Sequence, residues 1–450
     1  MKISLRFLYA IPILSILFTD RAFTEFLFPE EGNPLAVKYT LGLLGCSLAG
    51  AVLLHRSMEP LMRRWLLLLL AALGGLALES YAGWGTWMVY NHVFSKLLVL
   101  LHVFALYAFY RRFGLPPFGL LMAVLLLGLG ANLVLYHPEA LSLSGFLANE
   151  RGFGSNSAML LLLPTLYYFN QYLTRGGLVR LLLAFGGMAF IIFLQHRSVW
   201  LALGMALALN VLLVAFDRLE GARLSTQRLL PMVLLPFIVL VSGGMVVLTD
   251  PKISRKLENS VNNILHPEKG GTGGWRLQQF ESYKPFLLEY PIAGMRLKGF
   301  ELPVQFYTIG DDGASDAKTW SDMTGHHFHS FYVDRLFYFG ILGLLLTVLA
   351  PLVVLARRIR QPEPLPAPTA ALVLFCLSTF IYSISYDWPL YFFGVWGLAL
   401  AAATVPFRRP VPVAAAPRSV AALPAPLLRS SSASAPAPSY AHPTAATARR

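Results

Sequence analysis

Long apolar runs follow one another along most of the chain and are separated by short polar segments. A helix of about 20 apolar residues can cross the roughly 30 Å hydrocarbon layer of a bilayer. Twelve such runs lie at residues 3–18, 35–54, 64–80, 92–110, 115–135, 157–173, 178–194, 199–216, 229–248, 330–356, 367–386 and 388–406. The pattern predicts an all-α polytopic membrane protein with about 12 transmembrane helices.

Two segments stand apart from these runs. Residues 250–328 form a long loop between the ninth and tenth helices, and the stretch "WRLQQFESYKPFLLEYPIAG" within it predicts short helices that end at Pro291 and Gly294. Residues 407–450 are rich in Ala, Pro and Ser and predict a disordered tail. The predicted organisation is therefore helices 1–9 over 1–249, the loop over 250–328, helices 10–12 over 329–406, and the tail over 407–450.

Composition and charge agree with a membrane protein. Hydrophobic residues make up 56% of the chain and charged residues 13%, which a soluble domain could not accommodate. The net charge of +13 comes largely from arginines in loops on the N-terminal side. The short loops on the other side carry Arg21, Lys38, Lys96, Arg151 and Arg197. The positive-inside rule then predicts that both termini are cytoplasmic, and it explains the charge without a nucleic-acid partner.

Several arginines are predicted on the outward side, at the mouth of the bundle. Arg197 interrupts the apolar stretch "FLQHRSVWLALG", and Arg151, Arg276 and Arg296 lie in other outward segments. Guanidinium groups gathered in one place suit a ligand that carries phosphates. The alternative for each arginine is an ordinary contact with lipid headgroups.

Two short motifs resemble a known family. The stretch "RSVWL", from Arg197 to Leu201, fits an Arg-x3-Leu motif. The stretch "HSFYVDRLFYFGILG", from His329 to Gly343, fits the pattern of His, then Asn, Ser or Gln, nine residues, Gly, two residues and Gly. Together with the predicted architecture over most of residues 1–406, these motifs resemble the bacterial O-antigen ligases and polymerases. Many relatives have Glu where this chain has Tyr338.

The resemblance implies a GT-C-like glycosyltransferase of the bacterial inner membrane with a periplasmic active site. Its donor would be a glycan on undecaprenyl pyrophosphate. Its acceptor would be either lipid A-core, for a ligase, or another lipid-linked glycan, for an O-antigen or exopolysaccharide polymerase. His329 and Arg197 would be catalytic, and Arg197, Arg276, Arg151 and Arg296 would bind the pyrophosphate. We expect an inverting reaction that requires no cofactor and no metal.

Other interpretations remain open from the sequence alone. The acidic residues Asp311, Asp312, Asp316 and Asp322 could hold a cation, although their spacing fits no dedicated metal motif. A lipid-linked glycan flippase or transporter would also have about twelve helices and cationic residues, but it would show repeated halves, which this sequence lacks. A third alternative is a non-catalytic assembly subunit.

Overall fold

Helices dominate the part of the chain that the computed structural model describes, which comprises residues 4–15, 17, 34–148, 150–152, 154–222, 225–239, 250–266, 271–302, 308–309, 315–316 and 328–404. In chain order the helices are α1 Leu5–Leu8, α2 Ile11–Leu14, α3 Pro34–Leu53, α4 Pro60–Trp84, α5 Asn91–Leu98, α6 Leu100–Phe113, α7 Phe118–Tyr136, α8 Leu143–Ala148, α9 Ser155–Arg175, α10 Leu178–Phe193, α11 Arg197–Ala215, α12 Thr226–Val239, α13 Pro251–Leu265, α14 Gly271–Glu289, α15 Lys298–Glu301, α16 Phe331–Arg360, α17 Ala367–Tyr382 and α18 Leu390–Thr404. Two-residue strands, β1 Thr308–Ile309 and β2 Ser315–Asp316, pair antiparallel. The predicted helical class is confirmed.

Five helical stretches of the described chain are long and apolar enough to cross a membrane. They are Pro60–Trp84, Asn91–Phe113, Phe118–Tyr136, Arg197–Ala215 and Phe331–Arg360, and five shorter apolar helices accompany them. The chain is therefore a membrane protein. The count of twelve, the GT-C-like architecture and the domain boundaries stay predictions. Parts of the expected spans 3–18 and 229–248, and the whole tail 407–450, lie outside the described residues.

The centre of the bundle is formed by α6 and α18. Every residue from Leu100 to Tyr110 and from Tyr391 to Ala403 is buried. A Cβ atom on Gly397 would come within 2.6 Å of the Val103 carbonyl oxygen, so the two backbones approach closely where the side chain is absent. Such small-residue contacts let helices pack tightly inside a membrane.

Polar side chains join helices within this apolar interior. The Ser47 hydroxyl and His102 Nδ1 lie 2.6 Å apart and connect α3 to α6. The Asn210 amide donates to the Asn170 amide oxygen at 2.6 Å and connects α11 to α9. Each bond satisfies groups that would be costly to leave unpaired among apolar side chains.

Contacts between helix termini define two ends of the bundle. At one end, Tyr382, the last residue of α17, donates to Ser155 and Asn156 at the start of α9. We call this the Arg197 end, because α11 begins there. At the opposite end, Arg218 donates to the Gln361 carbonyl after α16. We call this the Arg218 end.

Candidate functional site

Arg197 is the first residue of α11, and a strained turn places it there. The preceding Gln195 has a φ of +59°, which is uncommon for a residue other than glycine. Its amide donates to the Phe146 carbonyl oxygen at 2.8 Å, and this bond holds the turn against α8. His196 is the N-cap of the helix. Arg197 is therefore fixed, half-buried, at the mouth of the bundle.

Three of the four predicted arginines lie together. Arg197 interacts electrostatically with Arg151 and Arg276, although the three come from separate segments of the chain. The ring of Tyr386 lies among them, since it interacts with Arg197 and has the Arg276 guanidinium 4.8 Å from its centroid. We call Arg151, Arg197 and Arg276 the arginine cluster.

The charge of the arginine cluster is not neutralised by the described part of the chain. No described acidic residue forms a salt bridge with any of its members. The Nε atoms of Arg151 and Arg276 are buried and have no hydrogen-bond partner among the described residues. Because like charges in a half-buried place repel one another, an anion bound between them would be strongly favoured.

Lys256 adds a further positive charge beside the cluster. Its ammonium donates to the carbonyl oxygens of Phe146 and Leu147, on the helix that also holds the Arg197 turn. Burial and the nearby Arg151 charge lower the pKa of Lys256. The direction of this shift is the one expected for a lysine in a cationic, partly dehydrated environment.

Helix termini reinforce the positive potential. The helices α9, α11, α16 and α18 all begin at the Arg197 end. The N-terminus of a helix carries a partial positive charge and unpaired backbone N–H groups. The end of the bundle that holds the arginine cluster is thus suited to bind an anion.

His329 borders the same turn as the arginine cluster. The residues that follow it, Ser330 and Phe331, both donate to the Ser383 carbonyl oxygen, at 3.3 and 3.1 Å. Tyr386, which contacts Arg276, lies in the turn that Ser383 begins. The His329 side chain is exposed. The fold therefore brings the histidine of one motif and the arginine of the other to the same end of the bundle.

The motif glycine Gly340 breaks α16. Its φ of +60° and ψ of −161° are accessible in practice only to glycine. The N–H groups after the break donate to the preceding loop, from Ile341 to the Pro291 carbonyl at 2.9 Å and from Leu342 to the Ile292 carbonyl at 3.1 Å. A Cβ atom at residue 340 would lie 2.4 Å from the Ile292 backbone. The break is therefore a docking point for the loop.

The docking continues on the other side of the break. The N–H groups of Met295 and Arg296 donate to the carbonyls of Phe337 and Tyr338, each at 2.8 Å. Because this loop directly follows α14, its attachment to α16 helps to position Arg276. The single helix α14 occupies the stretch for which short helices were predicted.

Arg296 has a different environment from the arginine cluster. Its Nε atom lies 2.7 Å from Glu79 Oε2, so a carboxylate of α4 pairs with it. Arg296 thus has a counter-ion, unlike the members of the arginine cluster, and a role for it in binding pyrophosphate stays a prediction. Among the acidic residues considered as possible cation ligands, Asp316 lies in β2, while Asp311, Asp312 and Asp322 lie outside the described residues.

A buried ion network was not predicted. Lys96 was assigned to a loop, but it lies in α5 with 6% of its surface exposed. It forms a salt bridge with Asp334 in the first turn of α16, and Asp334 also pairs with Arg335. Arg335 also pairs with Asp387, and its Nη2 atom lies 3.6 Å from the carboxylate Oδ1. The signal that could have revealed the network is the presence of ionisable residues within apolar runs.

Tyr338 also contacts this network. The Lys96 ammonium lies 4.8 Å from the centroid of the Tyr338 ring. The negative face of an aromatic ring attracts a cation, so tyrosine can contact the lysine without a carboxylate.

A comparison with protein families matches part of the chain. Residues 181–348 match a family model described as O-antigen ligase, whereas no curated protein matches the chain. The matched segment covers more than a third of the sequence, from α10 into α16, and contains Arg197, Arg276, Arg296 and His329. Both motifs fall within it. This match supports the resemblance of the two motifs to the O-antigen ligase family.

Proposed function

We propose that the protein is an inner-membrane glycosyltransferase that moves a glycan from undecaprenyl pyrophosphate to an acceptor hydroxyl on the periplasmic side. The O-antigen ligase reaction, with lipid A-core as acceptor, is our first choice. The observation that supports the proposal best is the arginine cluster, which lacks a described counter-ion and borders the same turn as His329.

The leaving group determines what the arginines do in this reaction. When the bond between the anomeric carbon and the pyrophosphate oxygen breaks, negative charge develops on the departing diphosphate. Fixed guanidinium groups in a partly dehydrated site stabilise this charge more than water would, because they need no reorganisation. The arginine cluster therefore supplies the electrostatic stabilisation of the transition state, with Arg197 as its central member.

His329 completes the reaction on the acceptor. The acceptor oxygen forms a bond to the anomeric carbon as the pyrophosphate oxygen leaves, and the imidazole of His329 takes the hydroxyl proton. Histidine suits this role near neutral pH. Direct displacement inverts the anomeric configuration, and the arginines balance the leaving charge without a metal. The proton later passes to solvent, and undecaprenyl pyrophosphate is released.

The proposed orientation of the protein in the membrane rests on the distribution of its arginines. The Arg218 end also contains Arg228 and Arg358, which bind backbone carbonyls there. Arginine and lysine accumulate on the cytoplasmic side of membrane proteins, so we place this end in the cytoplasm. The arginine cluster and His329 then face the periplasm, where lipid-linked glycans are transferred.

Complementation of a deletion strain tests the proposed function. Surface glycans would be compared on gels for strains that carry wild type, Arg197→Ala, His329→Ala or a matched control, Arg112→Ala, with protein levels checked by immunoblot. Arg112 is exposed and lies in the last turn of a different helix, α6. We expect the first two variants to lose transfer and the control to retain it.

The glycan pattern identifies the acceptor. Loss of all O-antigen chains linked to lipid A-core indicates a ligase, while chains shortened to one repeat indicate a polymerase. Loss of an exported polysaccharide alone indicates a capsule or exopolysaccharide polymerase. If Arg197→Ala and His329→Ala both restore normal glycans, the protein is not the transferase. A role as an assembly subunit or as a flippase would then replace the proposed function.

A further inference from the structure

A group of aromatic residues and one carboxylate forms a surface at the Arg197 end of α4. We call Tyr81, Trp84, Trp87, Tyr90 and Glu301 the aromatic patch. Tyr81 is 51% exposed and Trp87 is 58% exposed. Their rings stack with centroids 4.6 Å apart and planes 21° from parallel. Two large rings thus present a broad apolar surface to the outside of the bundle.

The loop that carries Trp87 is held by a buried serine. Ser80, which has no exposed surface, donates to the Thr86 carbonyl at 2.6 Å and accepts from the Val89 N–H at 2.9 Å. Gly85 ends α4 with a φ of +70°, which lets the chain turn sharply. These two bonds hold the backbone on both sides of Trp87 against the end of α4.

Glu301 is held by the two remaining aromatic residues. The Trp84 indole N–H and the Tyr90 hydroxyl both donate to the same oxygen, Oε1, at 2.8 Å each. Burial and the carboxylate raise the pKa of Tyr90 to about 12, so its hydroxyl remains a donor at neutral pH. Since both bonds end on Oε1, the second oxygen, Oε2, can accept hydrogen bonds from hydroxyl groups of a ligand.

A chain of ring contacts leads from the aromatic patch to His329. Tyr90 stacks on Phe300 with centroids 4.3 Å apart. Phe300 neighbours His92, His92 neighbours Tyr338, and Tyr338 neighbours Phe328, with centroids 6.4 to 6.5 Å apart at each step. Phe328 directly precedes His329. The residues after His329 lead to the Ser383 turn and the arginine cluster, so His329 lies between the two surfaces along these contacts.

We propose that the aromatic patch binds the acceptor oligosaccharide. The C–H face of a sugar ring would lie on Tyr81 and Trp87, while its hydroxyl groups would donate to Glu301. This inference rests on the proposed function, in which an acceptor hydroxyl must reach His329 from the side away from the diphosphate. Trp and Tyr also line membrane interfaces simply as anchors. An anchor presents its polar atoms to headgroups, whereas Trp84 and Tyr90 direct theirs to Glu301.

Binding and kinetics of the full-length protein in detergent test the aromatic patch. The probe is the water-soluble core oligosaccharide that mild acid releases from purified lipopolysaccharide of a deletion strain, freed beforehand of lipid-linked donor. We expect Tyr81→Ala and Trp87→Ala to weaken its binding by about tenfold, measured by titration calorimetry. They should raise the KM for the acceptor and leave kcat unchanged, and Trp87→Phe should restore most of the affinity. The matched control is Tyr136→Ala, which removes another partly exposed tyrosine at the same end of the bundle.

Two results would overturn the inference. One is wild-type affinity in both Tyr81→Ala and Trp87→Ala. The other is an equal loss in Tyr136→Ala, which would reduce the aromatic patch to an interfacial anchor. Arg197→Ala separates this inference from the proposed function, because it should abolish transfer and still bind the oligosaccharide. Transfer that survives in Arg197→Ala counts against the proposed mechanism alone.

Discussion

The guanidinium of Arg276 lies 4.8 Å from the centroid of the Tyr386 ring. This contact joins α14 of the long loop to the turn between α17 and α18. Tyr386 also interacts with Arg197, so a single ring connects an arginine of the loop to the arginine that begins α11. The arginine cluster therefore depends on long-range packing as much as on its own residues.

Replacing Tyr386 tests this dependence. A cation–π contact contributes about 0.5–2 kcal/mol, and its loss would leave Arg276 less well positioned. We expect Tyr386→Leu to slow glycan transfer by about tenfold, whereas Tyr386→Phe keeps the ring and most of the rate. Initial rates with purified protein provide the measurement. Equal rates for Tyr386→Leu and wild type would show that the ring does not position Arg276.

The members of the arginine cluster should differ from Arg296 in their effect on diphosphate binding. Arg151→Ala and Arg276→Ala each remove a cation with no described counter-ion, and we expect the affinity for undecaprenyl pyrophosphate to fall by about 10- to 100-fold. Arg296→Ala should change it little, because Glu79 already neutralises that residue. Arg255, exposed on α13, supplies a control arginine. A larger loss of affinity for Arg296→Ala than for Arg276→Ala would show that Arg296, and not Arg276, binds the diphosphate.

Gly340→Ala should detach the long loop from α16. The backbone conformation of Gly340 costs about 1–3 kcal/mol for other residues, and the new Cβ atom would clash with Ile292. We expect faster proteolysis within residues 250–328 and loss of transfer. Gly204→Ala is the matched control, since its Cβ atom would meet nothing within 4 Å, and alanine favours the helix. Wild-type protease resistance in Gly340→Ala would rule out the docking role.

The buried ion network should contribute strongly to stability. Asp334→Ala would leave Lys96 and Arg335 without their shared carboxylate in the interior, and breaking a buried pair costs about 3–5 kcal/mol. Glu59→Ala breaks a half-exposed pair with Arg111, which is worth about 0–1 kcal/mol. Thermal unfolding in detergent should therefore show a much larger loss of Tm for Asp334→Ala. Similar Tm values for the two variants would contradict the expected difference.

Some features could be predicted from the sequence because they depend on local pattern. Apolar runs of membrane-spanning length predicted the helices, because a helix buried in lipid or in the protein core can be recognised from its apolar composition and length. The short motif around Arg197 could be recognised for the same reason, while the role of Arg197 stays a prediction. The family model over residues 181–348 agrees with both motifs.

Other features depend on partners that are distant in the sequence. Glu79 and Arg296 are separated by 217 positions, and nothing near either residue indicates the other. Lys96 resembled a loop charge because the pattern of apolar residues does not show that Asp334 will face it. The glycines of the second motif could be recognised, but the break at Gly340 and the loop that fills it appear only in three dimensions.

In the proposed mechanism, the arginine cluster stabilises a departing diphosphate beside His329. The most direct test is the transfer rate of purified Arg197→Ala at saturating donor and acceptor, with Arg255→Ala as the control. Removing a fixed donor to a developing charge typically slows a reaction by about 100- to 1,000-fold. We expect a loss of this size in Arg197→Ala and a wild-type rate in Arg255→Ala. A folded Arg197→Ala protein that transfers glycan at the wild-type rate would contradict the account.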